Sequence, residues 1–354
     1  MHAHKPETSF NWKNALREAT AAQLALLAVL LCGLLVVSTG MGFIPIPAAA
    51  VVKIILSKLT GNPEPIAGMN EILPVVVMDV RLPRILTAAL VGGGLAMCGV
   101  VFQGILLNPL ADPYTLGVSA GAAFGAALAI LLNIAALGVQ SVPLFAFIGA
   151  ALTLAAVIYL SSASGGLSSN NLILSGIIVA AILSAGISFL KYVADEQVAV
   201  IIFWLMGSFA SKTWADAGLA LAAIGGGLAV FLFYARELNL MSLGPQMASS
   251  LGVDTRRVTL VLLSAASLVA AVCVSVSGII GFVGLLVPHI MRALTGPDNR
   301  RLIPVSLLAG AVLLLAADVA ARSVIAPQEV PVGVLTAVFG GSYLLLLLRQ
   351  RGRD

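Results

Sequence analysis

Residues able to do covalent or metal chemistry are sparse in this chain and poorly spaced for it. Cys32, Cys98 and Cys273 each lie inside a separate apolar run with no second Cys or His at ligand spacing. They read as small buried hydrophobes rather than as a disulfide or a metal site. His289 follows Pro288 as a lone imidazole, and His2 and His4 sit at the very start of the chain, so neither supplies the three or four convergent ligands a structural or catalytic metal needs. No Gly-x-x-x-x-Gly-Lys-Ser/Thr occurs, and none of the six lysines follows a glycine, so the chain has no phosphate cradle of its own. Within one apolar run no His, Asp or Glu is paired at helical spacing with another or with a Ser, which argues against an intramembrane enzyme. No catalytic residue, no metal ligand and no bound cofactor is expected.

The polar groups that do stand out suit recognition and gating rather than bond making. Arg81 and Arg84 flank Pro83, and Asp318 and Arg322 sit one helical turn apart, at the spacing of an ion pair. Ser168, Ser169, Asn170 and Asn171 form a short polar cluster, a standard N-cap composition. Asn108-Pro109-Leu110-Ala111-Asp112-Pro113 is a turn that no helix crosses unbroken. Gln103 lies inside an apolar run and needs a hydrogen-bond partner on another helix.

The elements that must position these groups are membrane helices. Sixty percent of the 354 residues are hydrophobic and only 10% are charged, with a mean hydropathy of +1.08, against roughly a quarter charged in a soluble domain. Apolar runs near 20 residues recur along the whole chain, which excludes a soluble helical core. Ten spans are expected, near 20–41, 82–107, 115–133, 143–162, 171–191, 214–234, 258–277, 279–293, 302–320 and 332–348. The stretch 198–210 is too short to cross and reads as a half-helix. The 35 glycines suit close helix packing. The net charge of +4 sits between the apolar runs and sets orientation, so no nucleic acid is implied. With both termini cytoplasmic, twelve Lys and Arg fall inside and seven outside, the expected bias.

The whole chain therefore reads as one all-α integral membrane domain. Residues 1–19 form a cytoplasmic tail ahead of a retained first helix. Residues 42–80, with five prolines, form an external, periplasmic loop with one amphipathic piece near 48–59. Residues 235–257 form the longest cytoplasmic connector, with a Leu-Gly-Pro break at 243–245 and helical spacing beyond it; among such short loops a structured docking element is expected.

From about residue 75 to the C-terminus the chain resembles the FecCD-type permeases, the membrane subunits of type II ABC importers for ferric siderophores, haem, cobalamin and related chelates. RLPR at 81–84, NPLADP at 108–113, GFVGLLVPH at 281–289 and DVAAR…EVPVG over 318–333 stand in the family's order. The resemblance implies the type II importer fold of about ten helices and a homodimer with one pathway on its two-fold axis. It also implies two cytoplasmic ATP-binding subunits, which carry ATP and Mg, and a periplasmic or lipid-anchored substrate-binding protein.

By the same resemblance Arg81, Arg84 and Arg322 dock the binding protein as exposed guanidiniums, the alternatives being headgroup anchoring or pairing with Asp79 or Asp318. Leu243, Gly244, Ala248, Leu251 and Gly252 match the coupling helices that rest on the ATPase, and Ser169 and Asn170 match the cytoplasmic gate. The cargo-facing wall is expected on the fifth span and parts of the second and tenth. An ion-coupled secondary transporter is the alternative; it needs carboxylates at mid-membrane, and the spans from the second to the eighth carry almost none. Which chelate is carried is not written in the chain. Ferric siderophore is the base-rate choice, with haem and cobalamin close and molybdate or tungstate open.

Overall fold

Short polar residues start the helices. Ser168 accepts the Asn171 N–H at 3.2 Å and caps α7 (Ser169–Val193). Thr213 and Asp216 form a reciprocal capping box on α9 (Trp214–Phe233). Asp254 caps α12 (Thr255–Ser277), and Asp298 caps α14 (Asn299–Ser323). Each side chain satisfies a backbone donor that the first helical turn leaves without a partner.

The computed structural model describes residues 12–42, 44–62, 68–134, 140–325 and 328–351. The remaining elements are α1 (Trp12–Gly40), α2 (Ala48–Thr60), α3 (Ile72–Val75), α4 (Leu82–Ile105), α5 (Val118–Leu131), α6 (Ser141–Ala163), α8 (Val198–Leu205), α10 (Ala235–Met241), α11 (Pro245–Ser250), α13 (Val283–Thr295) and α15 (Val332–Arg351). Among the described residues seven helices are long and apolar enough to cross a membrane, and three shorter apolar helices lie at 118–131, 283–295 and 332–346. All ten coincide with the ten expected spans, and α8 is the expected half-helix.

Three boundaries differ from the sequence reading. The helix α1 already starts at Trp12, inside the stretch read as a tail, whose first 11 residues lie outside the described ones. The second span starts at Ile72 rather than 82, because α3 runs through a π-helical turn, Val76–Arg81, straight into α4. Pro74 does not stop it: a proline in the first turn removes only an N–H that has no helical partner there. The loop expected to be external is correspondingly shorter, and its amphipathic piece is α2.

The core is α4. All of its residues except Leu82, Leu86 and Leu90 are buried, and it packs on α14, α12, α13 and α9. This close packing needs glycine at two crossings. A Cβ on Gly99 would collide with the Gly284 carbonyl of α13, and one on Gly92 with the Gly310 carbonyl of α14. By contrast α1 and α7 show much of their apolar surface, including Leu26, Val29, Ile177, Ile182 and Phe189, which suits lipid or a second subunit. Over most of its length α4 is enclosed by its own chain, and the end of the second span, Ile105 and Leu107, reaches a cavity.

Between α12 and α13 the helix breaks over residues 278–282. Gly278 has φ +73° and Phe282 has φ +68°. For a bulky residue that backbone state costs on the order of 1–3 kcal/mol and survives only where its surroundings enforce it. Glycine at 340 leaves the space the Phe282 ring occupies. The break lines an apolar cavity of about 580 Å³ with Met206, Ile279, Val334 and Val338.

Candidate functional site

Two polar regions lie at opposite ends of the helices. The first gathers Arg81, Arg84, Asp318, Arg322 and Glu329. All three arginines are enclosed. Arg81 is 7% and Arg84 9% exposed, and the Arg322 side chain is 8% exposed. Free, solvent-facing guanidiniums were expected; the fold instead turns each of them inward onto an internal partner.

Arg81 ends the π-helical turn and donates to the carbonyls of Thr39 at 2.7 Å, Gly40 at 3.2 Å and Ile44 at 2.5 Å. It thereby caps the C-terminus of α1, where carbonyls lack helical partners and the dipole favours a cation. Arg84 reaches the Asp318 carboxylate through Nε at 3.1 Å and Nη2 at 2.9 Å, and Glu329 through Nη1 at 2.7 Å. Arg322 lies 3.1 Å from the other Asp318 oxygen and donates to the Met41 carbonyl at 3.0 Å and to Ser38 Oγ at 2.9 Å. The pairing of Asp318 with Arg322, one turn away, is as the sequence suggested; the link from Arg84 to Glu329, 245 residues apart, had no local signal. A fully buried carboxylate needs such compensation. Glu329 is the outward-facing member, with its side chain 40% exposed.

The second region forms around the loop before α7. Ser169 Oγ donates to the Ile105 carbonyl at 3.4 Å, and the Asn171 amide donates to the carbonyls of Ser164 at 3.1 Å and Gly166 at 3.0 Å. The loop is thus tied to the end of α4 and folded back on itself, while Asn170 stays exposed. A cavity of about 620 Å³ opens here. Its wall takes Ser168, Ser169 and Asn170 from one side and Met241, Pro245 and Arg256 from the other. The Ser/Asn cluster and the 235–257 connector, distant in sequence, therefore share one cavity.

That connector folds as two short helices, α10 and α11, hinged at Gly244, whose φ of +99° favours glycine. Leu243, Met247 and Leu251 stand exposed at 61%, 55% and 55%, with Gly252 exposed beside them. Ala248 is fully buried, so the expectation that it meets a partner is corrected: it seats α11 on the chain's own core. Met247, missed in the sequence, is the knob on the opposite face. The connector is also clamped from below. Asn239 Nδ2 donates to Asp298 at 2.7 Å, and the Asn299 N–H donates back to Asn239 Oδ1 at 2.9 Å, which locks α10 to the start of α14.

Between the two regions the NPLADP turn is built from its own side chains. Asn108 Oδ1 accepts the Leu110 N–H at 2.9 Å, and Asp112 Oδ1 accepts the Tyr114 N–H at 3.0 Å. Burial pushes the Asp112 carboxyl above its ordinary range, opposed by the donors from Thr115 and Tyr114. The Tyr114 hydroxyl donates to the Ile280 carbonyl at 2.9 Å and so supports the α12–α13 break. Gln103 finds the partner its position demanded, donating to the Leu285 carbonyl at 3.1 Å and accepting from Arg292 at 3.1 Å. Within the spanning helices the buried carboxylates among the described residues are Asp216, in its capping box, and Asp318, in its ion-pair cluster. Both are consumed by structure.

Comparison with known proteins agrees with this architecture. Residues 26–350 match the model of the FecCD transport family. The cobalamin import system permease protein BtuC of Halobacterium salinarum is 44% identical over 285 residues, covering 80% of this chain and 76% of that one. The hemin transport system permease protein HmuU of Yersinia pestis is 40% identical, covering 80% and 86%. A solved structure titled as an inward-facing, metal-chelate type ABC transporter superposes with a TM-score of 0.79 at 35% identity, covering 92% of this chain and 98% of that one. With a helical arrangement shared over nearly its full length, this chain is a multi-pass membrane permease and belongs to the FecCD transport family.

Proposed function

We propose that two copies of this chain form the translocation pathway of an importer for a metal chelate, powered by separate ATP-binding subunits. Cargo is handed over at the Arg84 end by a binding protein, and the Asn170 end faces the cytoplasm, in keeping with the twelve-to-seven excess of basic residues there. The observation that carries the reading is the shared cavity at the Asn170 end. Because Pro245 and Arg256 of the connector and Ser169 and Asn170 of the loop line the same space, a push on Leu243, Met247 and Leu251 has a short path to the gate. Short polar side chains close a pore without holding the cargo.

The mobile coupling is between two states of one bundle, biased by ATP on the partner and by the loaded binding protein outside. At the far end, Glu329 and the rigid Arg84–Asp318–Arg322 core shape the docking surface, and Arg81 and Arg322 hold α1 in place beneath it. Relatives named for cobalamin and hemin import support a metal-chelate cargo, and one named for molybdate import leaves its size open. The test is uptake of labelled cobalamin, haem and a ferric siderophore by proteoliposomes carrying the assembled importer, with ATP inside and each loaded binding protein outside. One cargo is expected to accumulate against its gradient only with ATP. Accumulation driven by a proton or sodium gradient without ATP would replace this reading with a secondary transporter.

A further inference from the structure

A second cavity at the Asn170 end, about 420 Å³, lies beneath the connector and is separate from the loop lined by Ser169 and Asn170. Its wall includes Gln103, Asn108, Ser242, Gly244, Arg292 and Asn299. We propose that it receives an acidic segment of the ATP-binding subunit, with Arg292 taking the carboxylate. This rests on the reading that such a subunit docks on the connector.

Three features point to that ligand. First, the Arg292 side chain donates to the neutral amide oxygen of Gln103, and among the described residues no carboxylate lies within ion-pair distance of it. Gln103 is itself anchored through Leu285, so the guanidinium is held in place while its charge stays uncompensated. Arg84 and Arg322, by comparison, share two carboxylates. A planar fork of donors fixed in this way is suited to a carboxylate. Second, Asn299 is 2% exposed, and its Oδ1 has no hydrogen-bond partner. A buried acceptor left in that state costs free energy until a donor arrives. A peptide supplies both halves: a side-chain carboxylate for Arg292 and a backbone N–H for Asn299. Third, the 25-residue helix α14 begins at Asn299, so its positive dipole end adds to the field at the cavity. The mouth is rimmed by Leu243, 61% exposed, which places the cavity within the apolar surface offered to the partner. An anionic lipid headgroup would satisfy Arg292 but brings no reason for a site under the connector.

The test uses the full chain co-expressed with its ATP-binding subunit and purified in lipid nanodiscs. Arg292→Glu and Ser242→Trp, the latter plugging the cavity mouth with Arg292 intact, are each expected to cut co-purified subunit and ATP hydrolysis at least tenfold. Arg292→Lys is expected to keep a third or more. Arg300→Glu, on the same end but outside the cavity, is expected to behave as the unmutated chain. Changing each Asp and Glu on the membrane-facing side of the subunit to Lys is expected to restore activity to Arg292→Glu at one position. Full activity in both cavity variants, equal loss in Arg300→Glu, or no restoring position would overturn the proposal. So would a native mass spectrum showing anionic lipid lost from Arg292→Glu while subunit retention is unchanged. If the unmutated chain itself retains no ATP-binding subunit, the proposed function falls first.

Discussion

Asp318 is the residue on which the Arg84 end depends. It is fully buried and is shared by Arg84 and Arg322. Breaking a buried pair from one side leaves uncompensated charge, which costs about 3–5 kcal/mol. Asp318→Ala is therefore expected to lower the unfolding midpoint in detergent sharply, whereas Glu329→Gln, half open to solvent, should cost about 1 kcal/mol or less. Equal destabilisation by the two would show that Asp318 is not the anchor. The sequence disclosed the pairing of Asp318 with Arg322 because it is local, at helical spacing. It could not disclose that Arg84 joins them or that Arg81 caps α1, because those contacts depend on how distant helices cross. The same limit explains the misplaced exposure of the arginines: charge type is legible in a sequence, but the side of a helix that faces protein is not.

At the scale of elements, the spans were legible because length and hydropathy set them directly, and all ten recur as helices. Their order of burial was not. The helix α4 is enclosed although its composition differs little from that of α7, which shows much of its surface, and what separates them is the glycine surface that lets neighbours close on α4. Gly99→Ala is expected to destabilise by about 1–3 kcal/mol through the clash with Gly284, read as a lower thermal midpoint; no change would mean that α13 stands off further than it does here. The connector gives a second case. Its helical nature was visible in the spacing, but the buried side of α11 was not, so Ala248 was assigned outward. Because Asn239 joins α10 to the start of α14 through Asp298 and Asn299, Asn239→Leu should leave folding nearly intact and weaken coupling. ATP hydrolysis is expected to persist while transport per ATP falls several-fold, and an unchanged ratio would remove the clamp from the mechanism.

For the molecule as a whole, the proposal requires two copies with their Asn170 ends facing across one axis. In a Cys32→Ser background, Asn170→Cys is expected to form an oxidative cross-link between two chains, and Leu26→Cys, on the exposed face of α1, is not. The reverse pattern would put the pathway elsewhere. The family was readable from the ordered motifs, and the cargo was not, because among the described residues no metal-ligating cluster marks a specific chelate. The measurement closest to the central claim is ATP hydrolysis by the chain assembled with its ATP-binding subunit in lipid, with and without cargo-loaded binding protein. Stimulation by one loaded binding protein, reduced when Glu329 is changed to Lys at the docking surface, is the predicted result. Hydrolysis indifferent to every loaded binding protein, together with cargo movement that follows an ion gradient, would contradict the account.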